Sequence, residues 1–285
     1  MTNANNDIKQ SGEGGSRRKA NDCERCEAFS PSGPIRAKIS SKSGDIAVKT
    51  MEGNNLEVTL TASSAKFDYL LEDADVRFDA ASSQLDIRTQ PRDRIGVSRD
   101  KSGKKKKSWF DFGGSDLDVL VVLPKGSSLE IKTVSGDASL DGPFGDVSVS
   151  SVSGDVNVSE PCDSLDVKTA SGDVATGAVR ATLKCHSAWG DVECHSTAAK
   201  TDIASASGDV NITVAQPGHV SVKVVSGDVH VAIARGLAID VNGTTVSGDM
   251  SSNIDLDATG DAASDAEEVT LKINTVSGDI RIEKA

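Results

Sequence analysis

The tripeptide Ser-Gly-Asp recurs along the chain, and its spacing restricts the fold more than any other feature. Copies stand at Ser135-Gly136-Asp137, Ser153-Gly154-Asp155, Ser171-Gly172-Asp173, Ser207-Gly208-Asp209, Ser226-Gly227-Asp228, Ser247-Gly248-Asp249 and Ser277-Gly278-Asp279, with an outlying copy at Ser43-Gly44-Asp45. Near-copies at Phe144-Gly145-Asp146 and Trp189-Gly190-Asp191 hold the spacing. Gly136, Gly145 and Gly154 fall 9 residues apart (145 − 136, 154 − 145), and the next steps are 18 (172 − 154, 190 − 172, 208 − 190). Self-similarity at a fixed step is the mark of a stacked, quasi-one-dimensional fold.

Cut at nine residues, the chain reads FGDVSVSSV, SGDVNVSEP, CDSLDVKTA, SGDVATGAV, RATLKCHSA, WGDVECHST, AAKTDIASA, SGDVNITVA. Each line carries two inward-type residues two apart: Val147/Val149, Val156/Val158, Leu165/Val167, Val174/Thr176, Leu183/Cys185, Val192/Cys194, Thr201/Ile203 and Val210/Ile212. Period-two alternation with β-branched enrichment predicts short, half-buried strands. Glycine supplies positive φ at the turn, while Ser and Asp bond nearby amides. Two strands per 18-residue coil predict an all-β solenoid, with each strand type stacked into its own sheet about 4.8 Å per coil. The alternative is an antiparallel meander or β-sandwich. Beyond Gly208 the step loosens to 19, 21 and 30 (227 − 208, 248 − 227, 278 − 248), read as loops that include the acidic Asn253–Glu268 stretch.

Composition agrees. Aromatic residues make up only 3% of 285, which suits a narrow stacked core better than a globular one. Acidic residues outnumber basic ones, 43 to 31, which argues against a nucleic-acid binder. No apolar run approaches the 18 residues of a membrane span, no signal-like N-terminus stands out, and five cysteines give no secreted disulfide framework. These features lead to the expectation of a cytoplasmic protein. Residues 1–28 read as a disordered leader and 29–285 as one β-repeat domain. Within it, 29–90 is a divergent N-terminal cap, 91–115 a basic loop insertion and 116–285 the regular array.

The strings FSPSGPIRAKIS, DVLVVLPKGSSLEIKTVSGD, VSVSSVSGDV, LDVKTASGDV, GLAIDVNGTTVSGDM and LKINTVSGDIRI resemble the bacterial putative-adhesin family of β-strand-repeat proteins, a domain-of-unknown-function family. The similarity covers most of Phe29–Ala285. The resemblance implies stacked β architecture and a non-enzymatic structural or binding role, with protein or surface partners.

Four features could carry chemistry. Asp155, Asp173, Asp191, Asp209, Asp228 and Asp249 would form a column of carboxylates able to recruit Ca²⁺; the competing expectation is that each accepts amides of its own turn. Cys185-His186 and Cys194-His195 suggest zinc, but alternation sends both thiols inward, onto opposing sheets, and both histidines outward. Cys23-Glu-Arg-Cys26 is a lone CxxC without the second half a metal site needs. Arg92–Phe112 combines Arg92, Arg94, Arg99, Lys101 and Lys104–Lys107 with Trp109, Phe110 and Phe112, a pattern compatible with weak contact to an anionic membrane. No catalytic, cofactor or metal residue is assigned. The favoured function is a non-enzymatic scaffold. Alternatives are a cation- or membrane-responsive module, and a carbohydrate-active enzyme. End coils expose strand edges, which leaves association open.

Overall fold

The computed structural model describes residues 15–18, 24–64, 68–89, 97–99, 105–107, 117–196, 198–253 and 268–285. Its elements are β1 (Gly15–Arg18), β2 (Glu24–Phe29), β3 (Arg36–Ser40), β4 (Ile46–Met51), β5 (Leu56–Ala62), α1 (Asp68–Asp73), β6 (Asp75–Asp79), β7 (Gln84–Arg88), β8 (Val97–Arg99), β9 (Lys105–Lys107) and β10 (Leu117–Pro124). The repeat array follows with β11 (Ser128–Ser135), β12 (Ala138–Asp141), β13 (Phe144–Ser153), β14 (Val156–Val158), β15 (Cys162–Ser171), β16 (Val174–Trp189), β17 (Val192–Ser196), β18 (Lys200–Ser207), β19 (Val210–Val214), β20 (Gly218–Ser226) and β21 (Val229–Ile233). It ends in β22 (Ala238–Ser247), β23 (Met250–Ser252), β24 (Glu268–Ser277) and β25 (Ile280–Lys284).

The array is a β-solenoid with the expected register. Val156 pairs with Val174, Val174 with Val192 and Val192 with Val210, all parallel. The longer strands β11, β13, β15, β18 and β20 form one sheet and the shorter β12, β14, β17, β19 and β21 the other; β16 turns the corner and belongs to both. All sixteen inward residues of the nine-residue lines are buried. One apolar cluster runs from Ile35 to Ile282. Each Ser-Gly-Asp marks the corner from the long-strand sheet into the short-strand one, with glycine φ of +122° to +142° from Gly136 to Gly278 along the array. Phe144-Gly145-Asp146 is a different corner: it opens β13, Phe144 is buried, and Gly145 has no positive φ.

Three expectations are corrected. First, the leader ends earlier than residue 28. Glu24–Phe29 is β2, antiparallel to β5 from Glu24↔Thr61 to Phe29↔Leu56, and it covers an edge that β5 would otherwise expose. The Arg25 guanidinium donates to the carbonyls of Leu71 (2.7 Å) and Ala74 (2.8 Å), tying β2 to α1. Second, β3 and β4 are a full coil of the stack, since β3 pairs with β11 and β4 with β12, both parallel. The regular array therefore includes Ser43-Gly44-Asp45. Among the described residues the antiparallel pairs of the main sheet lie at the N-terminal end, where β10–β5–β2–β1 and β7–β6 close the stack; β8 and β9 form a separate antiparallel pair.

Third, the loosened C-terminal spacing reflects a change of coil order; the acidic stretch expected as a loop, residues 254–267, lies outside the described residues. β24 lies between β20 and β22, and β25 between β21 and β23. The last segment of the chain thus forms the penultimate coil. Apolar content explains the order. Val269, Leu271, Ile273, Ile280 and Ile282 are at most 1% exposed and need neighbours on both sides. The terminal coil is thinner: Gly243 leaves space that the Met250 side chain occupies, with sulfur 2.6 Å from the position a Cβ would take. Terminal repeats of solenoids tolerate solvent in this way.

Candidate functional site

The aspartate column exists, and its hydrogen bonding differs from the expectation. Each carboxylate from Asp118 to Asp279 along the stack accepts the amide of the aspartate in the next coil, whereas its own turn was the expected donor. The Asp155 N–H donates to Asp137 Oδ1 (2.9 Å), Asp173 to Asp155 (2.8 Å), Asp191 to Asp173 (2.9 Å) and Asp209 to Asp191 (2.8 Å). The series continues through Asp228, Asp279 and Asp249, and at the other end through Asp137, Asp45 and Asp118. Amide donation offsets repulsion between stacked carboxylates. Among the described residues no three His, Cys, Asp or Glu side chains converge as a metal-holding group.

Cys185 and Cys194 are buried on the two opposing sheets, while the His195 side chain is 63% exposed. Burial pushes the Cys185 thiol up to about 12, with the nearby Cys194 adding to the shift. Burial likewise raises Cys194, and raises Cys162 to about 11. Such thiols are inert. Cys26 is an exposed free thiol on β2, whereas Cys23 lies outside the described residues. Most of Arg92–Phe112 also lies outside them; only β8 and β9 are described, paired antiparallel.

The most distinctive surface was not anticipated. In the eight coils whose corner glycines run from Gly136 to Gly278, the residue two before that glycine is apolar and faces outward on the long-strand sheet; in the Gly44 coil it is Lys42. Val134, Val152, Val225, Val276 and Val246 are 48–79% exposed. Between Val152 and Val225 the same column holds Ala170, Ala188 and Ala206. The smaller side chains leave a groove of about 960 Å³ that crosses six coils, from Ser150 to Val276. Trp189, which replaces the corner serine, stands beside Ala188 and is 64% exposed. The stripe is bordered by Lys132, Lys168, His186 and Lys223, two residues earlier on their strands, and by the aspartate corners on the other side. The signal was present in the sequence as [Val/Ala]-Ser-Gly-Asp. It escapes an inward/outward count that treats every outward position as polar.

A second groove of about 600 Å³ lies on the same sheet, across β7, β3, β11, β13, β15 and β16, and is lined in part by the charged side chains of Lys38, Glu130, Asp166 and Lys184. Lys132 first, and Lys38 with it, hold the Glu130 carboxyl below its ordinary value. These are solvated ion pairs of small energetic weight.

No curated protein matches the chain by sequence. Among solved structures it is similar to a "putative adhesin" from Bacteroides fragilis (14% identity, 92% of this chain and 97% of that one, TM-score 0.50). It is also similar to a "putative adhesin" from Parabacteroides distasonis (13% identity, 93% and 98%, TM-score 0.44). A third similar structure is a "putative lipid binding protein" from the same species (11%, 93% and 98%, TM-score 0.33). The Toastrack DUF4097 family matches residues 38–283, nearly the whole of the stack described above, and the chain belongs to that family.

Proposed function

We propose that this protein is a non-enzymatic interaction scaffold, adhesin-like in general character, whose binding face is the apolar stripe beside the Ser-Gly-Asp corners. The observation that carries this reading is the outward-facing valine–alanine column repeated on eight coils, with a groove at its centre. Contiguous exposed apolar surface of this kind marks interaction sites. We assign no catalytic residue. A cation-responsive role has less support, because the stacked carboxylates from Asp118 to Asp279 already accept an amide. A membrane contact through 92–112 stays a separate proposal, tested by flotation with anionic and neutral liposomes.

The test compares wild type with a Val152→Glu/Val225→Glu variant, both immobilised and exposed to candidate protein and surface material. Both substitutions sit at exposed positions, so unchanged melting is expected. Partners retained by wild type and lost by the variant support the reading. Identical retention by both proteins places the binding face elsewhere.

A further inference from the structure

We propose that the stripe pairs with the same stripe of a second copy, the two rods lying parallel about a two-fold axis that runs along them. The proposal rests on the stripe being a binding face and names its partner.

Three observations converge. The first is a projection and a hollow on the same coil. Trp189 is 64% exposed in a column otherwise occupied by serine, and the alanine hollow is centred on Ala188. A two-fold contact brings each coil onto its counterpart, so each Trp189 meets the partner's hollow. Buried tryptophans set into pockets dominate interface energetics, and an isologous contact needs this kind of self-complementarity.

The second observation fixes the direction. Lys132, Lys168 and Lys223 flank one side of the stripe, and the aspartate column flanks the other; Lys132 and Lys168 also reach Glu130 (2.7 Å) and Asp166 (3.7 Å) on their own strands. An axis along the rod sets the cationic flank of each copy against the acidic flank of its partner. An axis across the rod sets lysine against lysine. Charge complementarity therefore selects the parallel pair.

The third observation concerns backbone and size. The strands under the groove are paired on both edges, so a partner cannot add a strand and must engage side chains. The stripe spans eight coils, about 34 Å, and the width from lysine to aspartate column is about 16 Å. Those dimensions give a total buried area of about 1,100 Å², just above the roughly 1,000 Å² of a specific interface. A weak dimer is expected.

Sedimentation velocity of the full chain from 5 to 500 μM at low and high salt tests this. A concentration-dependent monomer–dimer equilibrium is expected, weakened at least threefold by high salt because the flanking pairs are exposed. Trp189→Ser restores the residue found at the other corners, so it should keep the melting temperature and weaken association at least tenfold. In a Cys23→Ser/Cys26→Ser background, Val134→Cys and Val276→Cys should each cross-link to themselves. An antiparallel pair would instead cross-link only near coil 188, through Ala188→Cys, and that pattern overturns the proposal. So does a wild type that stays monomeric at 500 μM, an outcome that leaves the binding-face reading to its own capture test.

Discussion

Replacing Gly172 by alanine should be among the most damaging single changes available to this chain. Its φ is +125°, and a Cβ there would lie 2.3 Å from the Gly154 carbonyl oxygen and 2.7 Å from its carbon. Two costs add. Left-handed backbone costs a non-glycine residue about 1–2 kcal/mol. Relieving the clash means separating two coils by about 1 Å, which strains the packing by about 1–3 kcal/mol. The same movement stretches the 2.8 Å bond from the Asp173 amide to Asp155 Oδ1, worth about 1 kcal/mol. The sum is about 3–6 kcal/mol. Two other glycines separate the contributions. Gly53 has φ +96° with nothing within 4 Å, so Gly53→Ala should cost only the backbone strain. Gly33 has neither positive φ nor neighbours, so Gly33→Ala should be neutral or slightly stabilising. Urea unfolding followed by circular dichroism gives the ranking. Hydrogen exchange should show the Gly172→Ala loss concentrated in coils 154 and 172, because each coil contacts only its neighbours. A Gly172→Ala variant no less stable than Gly53→Ala would refute the stacking argument.

Two further outcomes follow from the corner and the core. Asp191→Asn keeps the acceptor for the Asp209 amide and removes a charge from the column, so it should be neutral or stabilising, whereas Asp191→Ala should cost about 1 kcal/mol in the same unfolding assay; equal losses would mean the charge itself matters. Cys162 and Cys185 are raised by burial from 9.0 to about 11 and about 12, so the folded state holds protons that the unfolded state has released. Stability should be complete below pH 9 and fall between pH 9 and 12, by up to about 1.4 kcal/mol per pH unit per thiol. At pH 8 the three buried thiols should resist a thiol reagent until the chain is unfolded, while Cys26 reacts; rapid labelling of Cys185 in the folded protein would contradict its inward placement.

The parts of this fold that were legible in sequence are those that repeat locally. Val156, Val174 and Val192 announce both the inward face and the 18-residue register, because strand alternation and a fixed turn leave few other ways to bury them. Cys185 and Cys194 were placed inward for the same reason. Stacking order is different. Every coil carries the same corner, so Gly248 and Gly278 can each follow Gly227 with equal turn geometry. The choice depends on which coil is apolar enough to need covering on both sides, a comparison between Leu271/Ile273 and Val241/Gly243 that turn spacing cannot make. Glu24–Phe29 was missed because a single edge strand paired to Leu56–Ala62 has no internal repeat. The stripe escapes that reading because Val152 and Val225 stand at outward positions, which a search for inward residues passes over. Its meaning emerges only when eight coils align them.

Distances along one outward column test the stacking most directly. With Cys23 and Cys26 replaced by serine, a spin label at Lys132 would be paired in turn with labels at Lys223, Asn274 and Thr244, positions linked rung by rung through the register. At one coil per step the separations should be about 24, 29 and 34 Å. Thr244 should therefore lie farther from Lys132 than Asn274 does, although it comes earlier in the chain. Distances that fail to grow by a constant increment, or a Thr244 nearer than Asn274, would contradict the stacked coils and their exchanged final order.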